Sequence, residues 1–270
     1  MNKETLLLIP LCLCLMGQIE RSCPPPPPPA PNAGAYCSGA VLPAFFEEYP
    51  TIVGGTPSVN RRSTVYLYST ASQRGCSGVI IGPHAVLTAK HCVASSQQKV
   101  YLDHRLNNPA VYYDVVDSVE EPMAYDLAIL YVNEVLPTPY VTNYYDNTLS
   151  DVCETMIAQG WGQTEDIEDP DYVPCPDRDN NGIPDAHCLR ESLYTVILEN
   201  HKQLTTMQLT EGSVCFGDSG GPLYVYLEGQ QDPWLAGVVS LAGIDCLSSA
   251  THIKVSAFKD WILDNTDLPP

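Results

Sequence analysis

The sequence predicts an all-β fold, and three observations carry that expectation. Short runs rich in Val, Ile, Tyr, Leu and Thr recur along the chain. Clusters of Gly, Pro, Asn and Asp separate them, and only one stretch, near the C-terminus, has helical spacing. The clearest strand-like runs are 64–68, 78–81, 128–132 and 235–239. The helical stretch is 255–265, where Val255, Phe258, Trp261 and Ile262 fall on one face. No internal repeat of solenoid period is present.

The bulk numbers set limits on what such a chain does. At 270 residues and 44% hydrophobic it fills a substantial core within one large domain. Its formal charge is −19, from 32 acidic and 13 basic residues. That surface repels nucleic acid and anionic lipid, so neither is an expected partner, and it attracts divalent cations. Eleven cysteines point to an oxidising compartment and therefore to export.

The N-terminal region divides into two parts. Lys3 precedes an apolar run over 6–16, the length of a signal-peptide core and too short to span a bilayer; Gly17 is the nearest small residue for cleavage. Residues 1–22 are therefore expected to be a signal peptide. Cys23 is followed by Pro24 to Pro29, a tract that extends as a polyproline spacer. Residues 23–51 read as spacer and propeptide, and 52–270 as the main domain. Cys23 ahead of a spacer invites lipidation, the one route to a membrane partner; Glu20-Arg21-Ser22 before it match a lipoprotein signal poorly, and an intermolecular disulfide is the alternative.

Four separated segments carry the chemistry. They are Ile52-Val53-Gly54-Gly55, Leu87-Thr88-Ala89-Lys90-His91-Cys92, Asp126-Leu127-Ala128-Ile129-Leu130 and Gly217-Asp218-Ser219-Gly220-Gly221-Pro222. A serine hydroxyl is a weak nucleophile at neutral pH and needs a base, itself oriented by a third group. A histidine beside a cysteine, or an aspartate before a strand, is alone more often structural. In this order and context, the four segments resemble the chymotrypsin/trypsin family of serine endopeptidases over 52–265.

The resemblance implies two six-stranded antiparallel Greek-key barrels followed by a C-terminal helix. It implies peptide-bond hydrolysis through an acyl-enzyme, with His91, Asp126 and Ser219 as catalytic triad and no cofactor for catalysis. Gly217 and Ser219 would supply the oxyanion N–H groups. Cleavage before Ile52 would free an amine to pair with Asp218, whose plainer role is to cap a turn. Thr51 stands where zymogens of the family carry Arg or Lys, so the activating protease would have non-tryptic specificity. The expected partners are this activator and protein or peptide substrates. A binding protein that has lost catalysis is the alternative, and all three triad residues are present.

The resemblance also pairs Cys76 with Cys92 and Cys215 with Cys246. Cys175 and Cys188 bracket a loop they are able to close, Cys37 and Cys153 then remain to tether the propeptide to the main domain, and Cys23 is left over. The specificity pocket would have Ser213 at its floor, with Ser240, Ala242 and Ala250 along its walls. No carboxylate lies there to select Arg or Lys, and the alanines favour medium apolar side chains. Within 175–188, the oxygen-bearing residues Asp177, Asp179 and Asn181, the Ile183 carbonyl and Asp185 follow a calcium-loop spacing, with Gly182 at the turn. The stretch resembles one thrombospondin type 3 calcium repeat, except that Cys188 replaces the final acidic ligand. A disulfide-closed acidic loop without an ion is the alternative. His187 would suit zinc, but the oxygen-rich set favours a hard cation.

Overall fold

The structure is a computed structural model. It describes residues 63–94, 96–102, 112–137, 139–146, 151–162, 189–209, 213–227, 232–243, 246 and 249–266, and the backbone of 51–57. The leader, the spacer and the 175–188 loop lie outside the described residues.

Six strands close into a first barrel: β2 (Thr64–Ser69), β3 (Arg74–Gly82), β4 (Ala85–Thr88), β5 (Gln98–Tyr101), β6 (Tyr112–Glu120) and β7 (Ala128–Val132). They run in the order β2-β3-β4-β7-β6-β5. The second barrel comprises β8 (Thr155–Gly160), β9 (Arg190–Glu199), β10 (Gln203–Gln208), β11 (Pro222–Val225), β12 (Trp234–Ala242) and β13 (Ser249–Lys254). Its order is β9-β10-β13-β12-β11-β8, and pairing of β8 with β9 closes it. Strand β1 (Thr51–Pro57) adds to the β9 edge. The two six-stranded antiparallel barrels and the helix after them are the expected architecture.

Why β7 reads as an unbroken apolar run, not an alternating one, follows from its position. All five of its residues are buried. Leu130 and Val132 point into the first barrel, among Val65, Leu67, Ile80 and Val86. Ile129 and Tyr131 face outward onto Val238, Ile253 and Phe258, so the strand has core on both sides. That outer cluster joins the barrels. Met156, Tyr194, Leu204 and Val239 fill the second barrel.

The C-terminal segment differs from a single helix over 255–265. It begins as a 3-10 turn at Val255–Phe258 and continues as α1 (Lys259–Thr266). Val255, Phe258 and Ile262 are buried against the inter-barrel cluster and Trp261 packs partly against it, so the apolar face is as expected. The tighter first turn fits the helix start directly to the end of β13. The Tyr131 hydroxyl donates to the Asn265 carbonyl at 2.7 Å, fastening α1 to the first barrel.

Candidate active site

His91 sits on a 3-10 turn, Lys90–Cys92, directly after β4. Its neighbour Cys92 is disulfide-bonded to Cys76 on β3, which fixes the turn against the barrel. Asp126 lies in the connection from β6 to β7. The buried Glu121 carboxylate shapes that connection by accepting N–H groups from Met123 (2.8 Å) and Tyr125 (3.1 Å). The two elements meet through paired contacts. The His91 backbone N–H donates to Asp126 Oδ1 at 2.9 Å, and the ring nitrogen Nδ1 lies 2.8 Å from Oδ2. Two contacts to one carboxylate set both the position and the rotation of the imidazole.

Burial on its own would push the Asp126 carboxyl upward. Hydrogen bonds from the His91 ring, the Ser240 hydroxyl and the His91 N–H outweigh it and hold the group below its ordinary value. Asp126 is thereby an anion at neutral pH, suited to keep a proton on Nδ1 and leave Nε2 free as a base.

Ser219 lies on the turn between Cys215 and β11. The turn needs left-handed backbone at Gly217 (φ 94°) and Gly220 (φ 82°), where a side chain would be strained. Its position is set from the first barrel. The Ser77 N–H donates to the Ser219 carbonyl at 2.8 Å, and the Ser77 hydroxyl donates to the Gly217 carbonyl at 2.9 Å. The same hydroxyl accepts the Trp161 N–H at 2.9 Å. With the Gly217 carbonyl held by Ser77, the Gly217–Asp218 peptide, next to the Gly217 N–H, is fixed in orientation. Cys215 is bonded to Cys246, which ties the turn to the segment between β12 and β13.

His91, Gly217 and Ser219 line one cleft of about 1050 Å³, with Phe216 at its edge, 72% exposed. Cys76, Cys92 and Arg74 line the same cleft. Cys76, His91 and Cys92 also cluster at metal-ligand distances, but the two sulfurs are bonded to each other and offer no thiolate.

The other residues singled out in the sequence fall as follows. Asp218 is wholly buried and accepts N–H groups from Gly162 and Cys215, each at 2.8 Å. Burial pushes its carboxyl up to about 7, against these donors and the Arg190 charge. Ile52 lies in β1, which is described by its backbone. Ser213 is buried; the Tyr194 hydroxyl donates to its Oγ at 3.3 Å and accepts the Val214 N–H at 2.6 Å. Ala242 and Ala250 stand opposite each other on β12 and β13. The Ser240 hydroxyl is turned onto Asp126 Oδ2 at 2.5 Å. Cys153 is disulfide-bonded as well. The loop residues Asp177, Asp179, Asn181, Ile183 and Asp185, with Cys175 and Cys188, lie outside the described residues.

Sequence reasoning missed Ser77, Tyr194 and Arg190, and missed that Ser240 serves Asp126. Only Ser77 had a nearby signal, standing beside Cys76, the expected partner of Cys92.

Comparison with known proteins identifies the family. The sequence model of the family described as Trypsin matches residues 52–262. The chain is 27% identical over 214 residues to an ovochymase of Halocynthia roretzi, covering 70% of this chain and 13% of that protein. It is 25% identical to melanization protease 1 of Drosophila melanogaster, covering 70% and 58% respectively. With snake venom serine protease 3 of Protobothrops jerdonii it shares 26% identity over 78% of this chain and 85% of the relative. The chain thus spans less than two thirds of the length of the first two relatives. The double-barrel fold and the family match over most of the length lead to one assignment: the chain belongs to the trypsin family of serine endopeptidases.

Proposed function

We propose that this protein is a secreted endopeptidase in which His91, Asp126 and Ser219 form the catalytic triad. The observation that carries the reading is the His91 ring held at 2.8 Å on the Asp126 carboxylate, with His91 and Ser219 lining the same cleft. Ser219 Oγ attacks the peptide carbonyl while His91 Nε2 takes its proton. The carbonyl oxygen becomes an anion facing the Gly217 and Ser219 N–H groups. His91 then protonates the leaving amine, an acyl-Ser219 ester remains, and water activated by His91 hydrolyses it. Asp126 stays ionised throughout and stabilises the imidazolium. Family members run this chemistry without a catalytic metal.

The finer features of the reading rest on the sequence. The leader and Pro-rich spacer support export, with an anchor only if Cys23 carries lipid. Maturation is cleavage before Ile52, by a protease that accepts Thr51, and the new amine joins Asp218. The Ser213, Ala242 and Ala250 pocket favours medium apolar side chains before the scissile bond. In the 175–188 loop, Asp177, Asp179, Asn181, the Ile183 carbonyl and Asp185 would hold a calcium ion; a calcium-dependent rise in melting temperature, absent from Asp179→Ala, tests it.

The deciding experiment treats the protein cleaved before Ile52 with a fluorophosphonate probe, beside Ser219→Ala. Labelling lost in the variant supports an activated Ser219. A folded, cleaved protein that resists the probe removes the triad reading.

A further inference from the structure

We propose that Arg190 holds Asp218 in its productive position before any cleavage at Ile52, so that the uncleaved chain already has an ordered oxyanion turn. The proposal rests on the serine endopeptidase reading and adds to it a way for the single chain to be active.

A carboxylate wholly removed from water needs a counter-charge or a proton. Asp218 is wholly buried, and among the described residues its carboxylate accepts hydrogen bonds from neutral backbone groups, the Gly162 and Cys215 N–H. After cleavage the Ile52 amine is available to it. Before cleavage that nitrogen belongs to the Thr51–Ile52 peptide bond, and the backbone of Thr51 lies in β1 opposite Glu191 of β9. The charge must then come from inside the domain.

The strand register identifies the group. Gly160 of β8 carries no side chain, and a Cβ built there would run into the Asp218 carboxylate. That face of Gly160 therefore belongs to Asp218. Directly opposite Gly160, on β9, stands Arg190. Residues opposed across an antiparallel pair project on the same face of the sheet, close enough to interact. Arg190 leaves β9 on the face where Asp218 sits, and at 2% exposure its side chain is held inside the protein. A guanidinium does not deprotonate at any relevant pH, so its charge is permanent there. Its field favours the ionised form of Asp218, against the burial that pushes the carboxyl up to about 7.

The consequence reaches the site through short links. Asp218 accepts the Cys215 N–H, its own N–H donates to the Cys215 carbonyl at 3.1 Å, and its carbonyl accepts the Gly221 N–H at 2.9 Å. These bonds enclose Phe216, Gly217 and Ser219. An Asp218 without a counter-charge gains by turning toward water, which would take the Gly217 N–H with it. Arg190 is thus a positioning residue. Thr51 fits the same picture, since a chain without a basic activation residue is not coupled to a trypsin-like activator.

The test uses one full-length protein in two states. Residues 47–51 are replaced by an enteropeptidase site (Glu47→Asp, Glu48→Asp, Tyr49→Asp, Pro50→Asp, Thr51→Lys), so that the same chain is assayed intact and after cleavage before Ile52. Fluorophosphonate labelling rates are measured for this parent, Arg190→Gln and Arg190→Lys, with intactness checked by mass. The intact parent should label within about tenfold of its cleaved form. Arg190→Gln should slow the intact form about tenfold or more, while cleavage restores it, and Arg190→Lys should keep most of the intact rate. An intact parent that stays unlabelled while its cleaved form labels overturns the proposal and leaves the enzyme reading standing. Equal loss in both states of Arg190→Gln assigns Arg190 a merely structural role and also overturns it. Failure of both parent states removes the triad reading and this proposal with it. The intact-to-cleaved ratio of the parent needs no variant, and decides even if Arg190→Gln does not fold.

Discussion

The Ser240 hydroxyl donates to Asp126 Oδ2 at 2.5 Å, the same oxygen that lies 2.8 Å from His91 Nδ1. With the His91 N–H on Oδ1, the carboxylate is held from three directions. Ser240→Ala removes the one donor that does not come from His91, so the carboxyl loses a contact that keeps it below its ordinary value. Hydrogen bonds to charged groups contribute about 1.5–3 kcal/mol, so kcat/KM should fall about tenfold or more. A variant with the parental kcat/KM would show that Ser240 only lines the pocket.

Ser77 offers a second handle, one that connects stability to turnover. Its buried hydroxyl donates to the Gly217 carbonyl and accepts the Trp161 N–H, both at 2.9 Å. Ser77→Ala leaves both groups unpaired in the interior. That should cost about 1–3 kcal/mol of unfolding free energy, measurable by urea titration. Since the Gly217–Asp218 peptide, which adjoins the Gly217 N–H, loses its tether, kcat should fall with KM little changed. Loss of stability with full kcat would separate Ser77 from the oxyanion turn.

These two serines mark where the sequence stops being legible. The barrels follow from short β-branched runs bounded by turn residues, and the cluster of His91, Asp126 and Ser219 from local motifs whose neighbours are fixed in sequence. Ser240 reaches Asp126 across 114 residues, and Ser77 reaches Gly217 across 140. Nothing in the spacing of either serine announces such a partner, because the pairing exists only once the barrels dock. Arg190 is hidden for a related reason. Its meaning depends on standing opposite Gly160, a register set by the barrel closure of β8 on β9 and separated in sequence by the 163–188 segment.

His252 predicts a stability profile with a definite sign. The ring is wholly buried, 6.1 Å from the Tyr194 ring, with Nδ1 3.5 Å from Thr206 Oγ1. Burial lowers its pKa to about 3, against a backbone hydrogen bond with Leu204 that acts to raise it. Below its ordinary value of 6.5 the unfolded chain binds a proton that the folded chain refuses until about pH 3. The stability is therefore complete above that ordinary value. It falls as the pH drops through the window, by up to about 1.4 kcal/mol for each pH unit. Asp218 acts in the opposite sense, since its raised carboxyl favours folding more at pH 4 than at pH 7. Its contribution cancels in a comparison with His252→Phe. Melting temperatures at pH 4, 5, 6 and 7 should show the parent losing ground to that variant as the pH falls. Parallel curves would mean that His252 does not titrate differently on folding.

Arg74 sets an expectation for the substrate. Ser219, His91, the Cys76–Cys92 disulfide and Arg74 line one cleft. Among the described residues that line it, Arg74 is the one that always carries charge, and it is exposed. In a chain of formal charge −19, a local cation with no carboxylate among its described neighbours in the cleft favours acidic residues after the scissile bond. Exposed pairs contribute only about 0.2–1 kcal/mol, so the preference should be about two- to fivefold in kcat/KM. Internally quenched peptides differing only in Asp or Lys on the leaving-group side measure it directly. Arg74→Glu should reverse the order. About 0.5 M salt should flatten it, because screening shortens the reach of an exposed charge to a few ångströms. Equal rates for the Asp and Lys peptides at low salt would show that Arg74 lies outside the bound substrate's path.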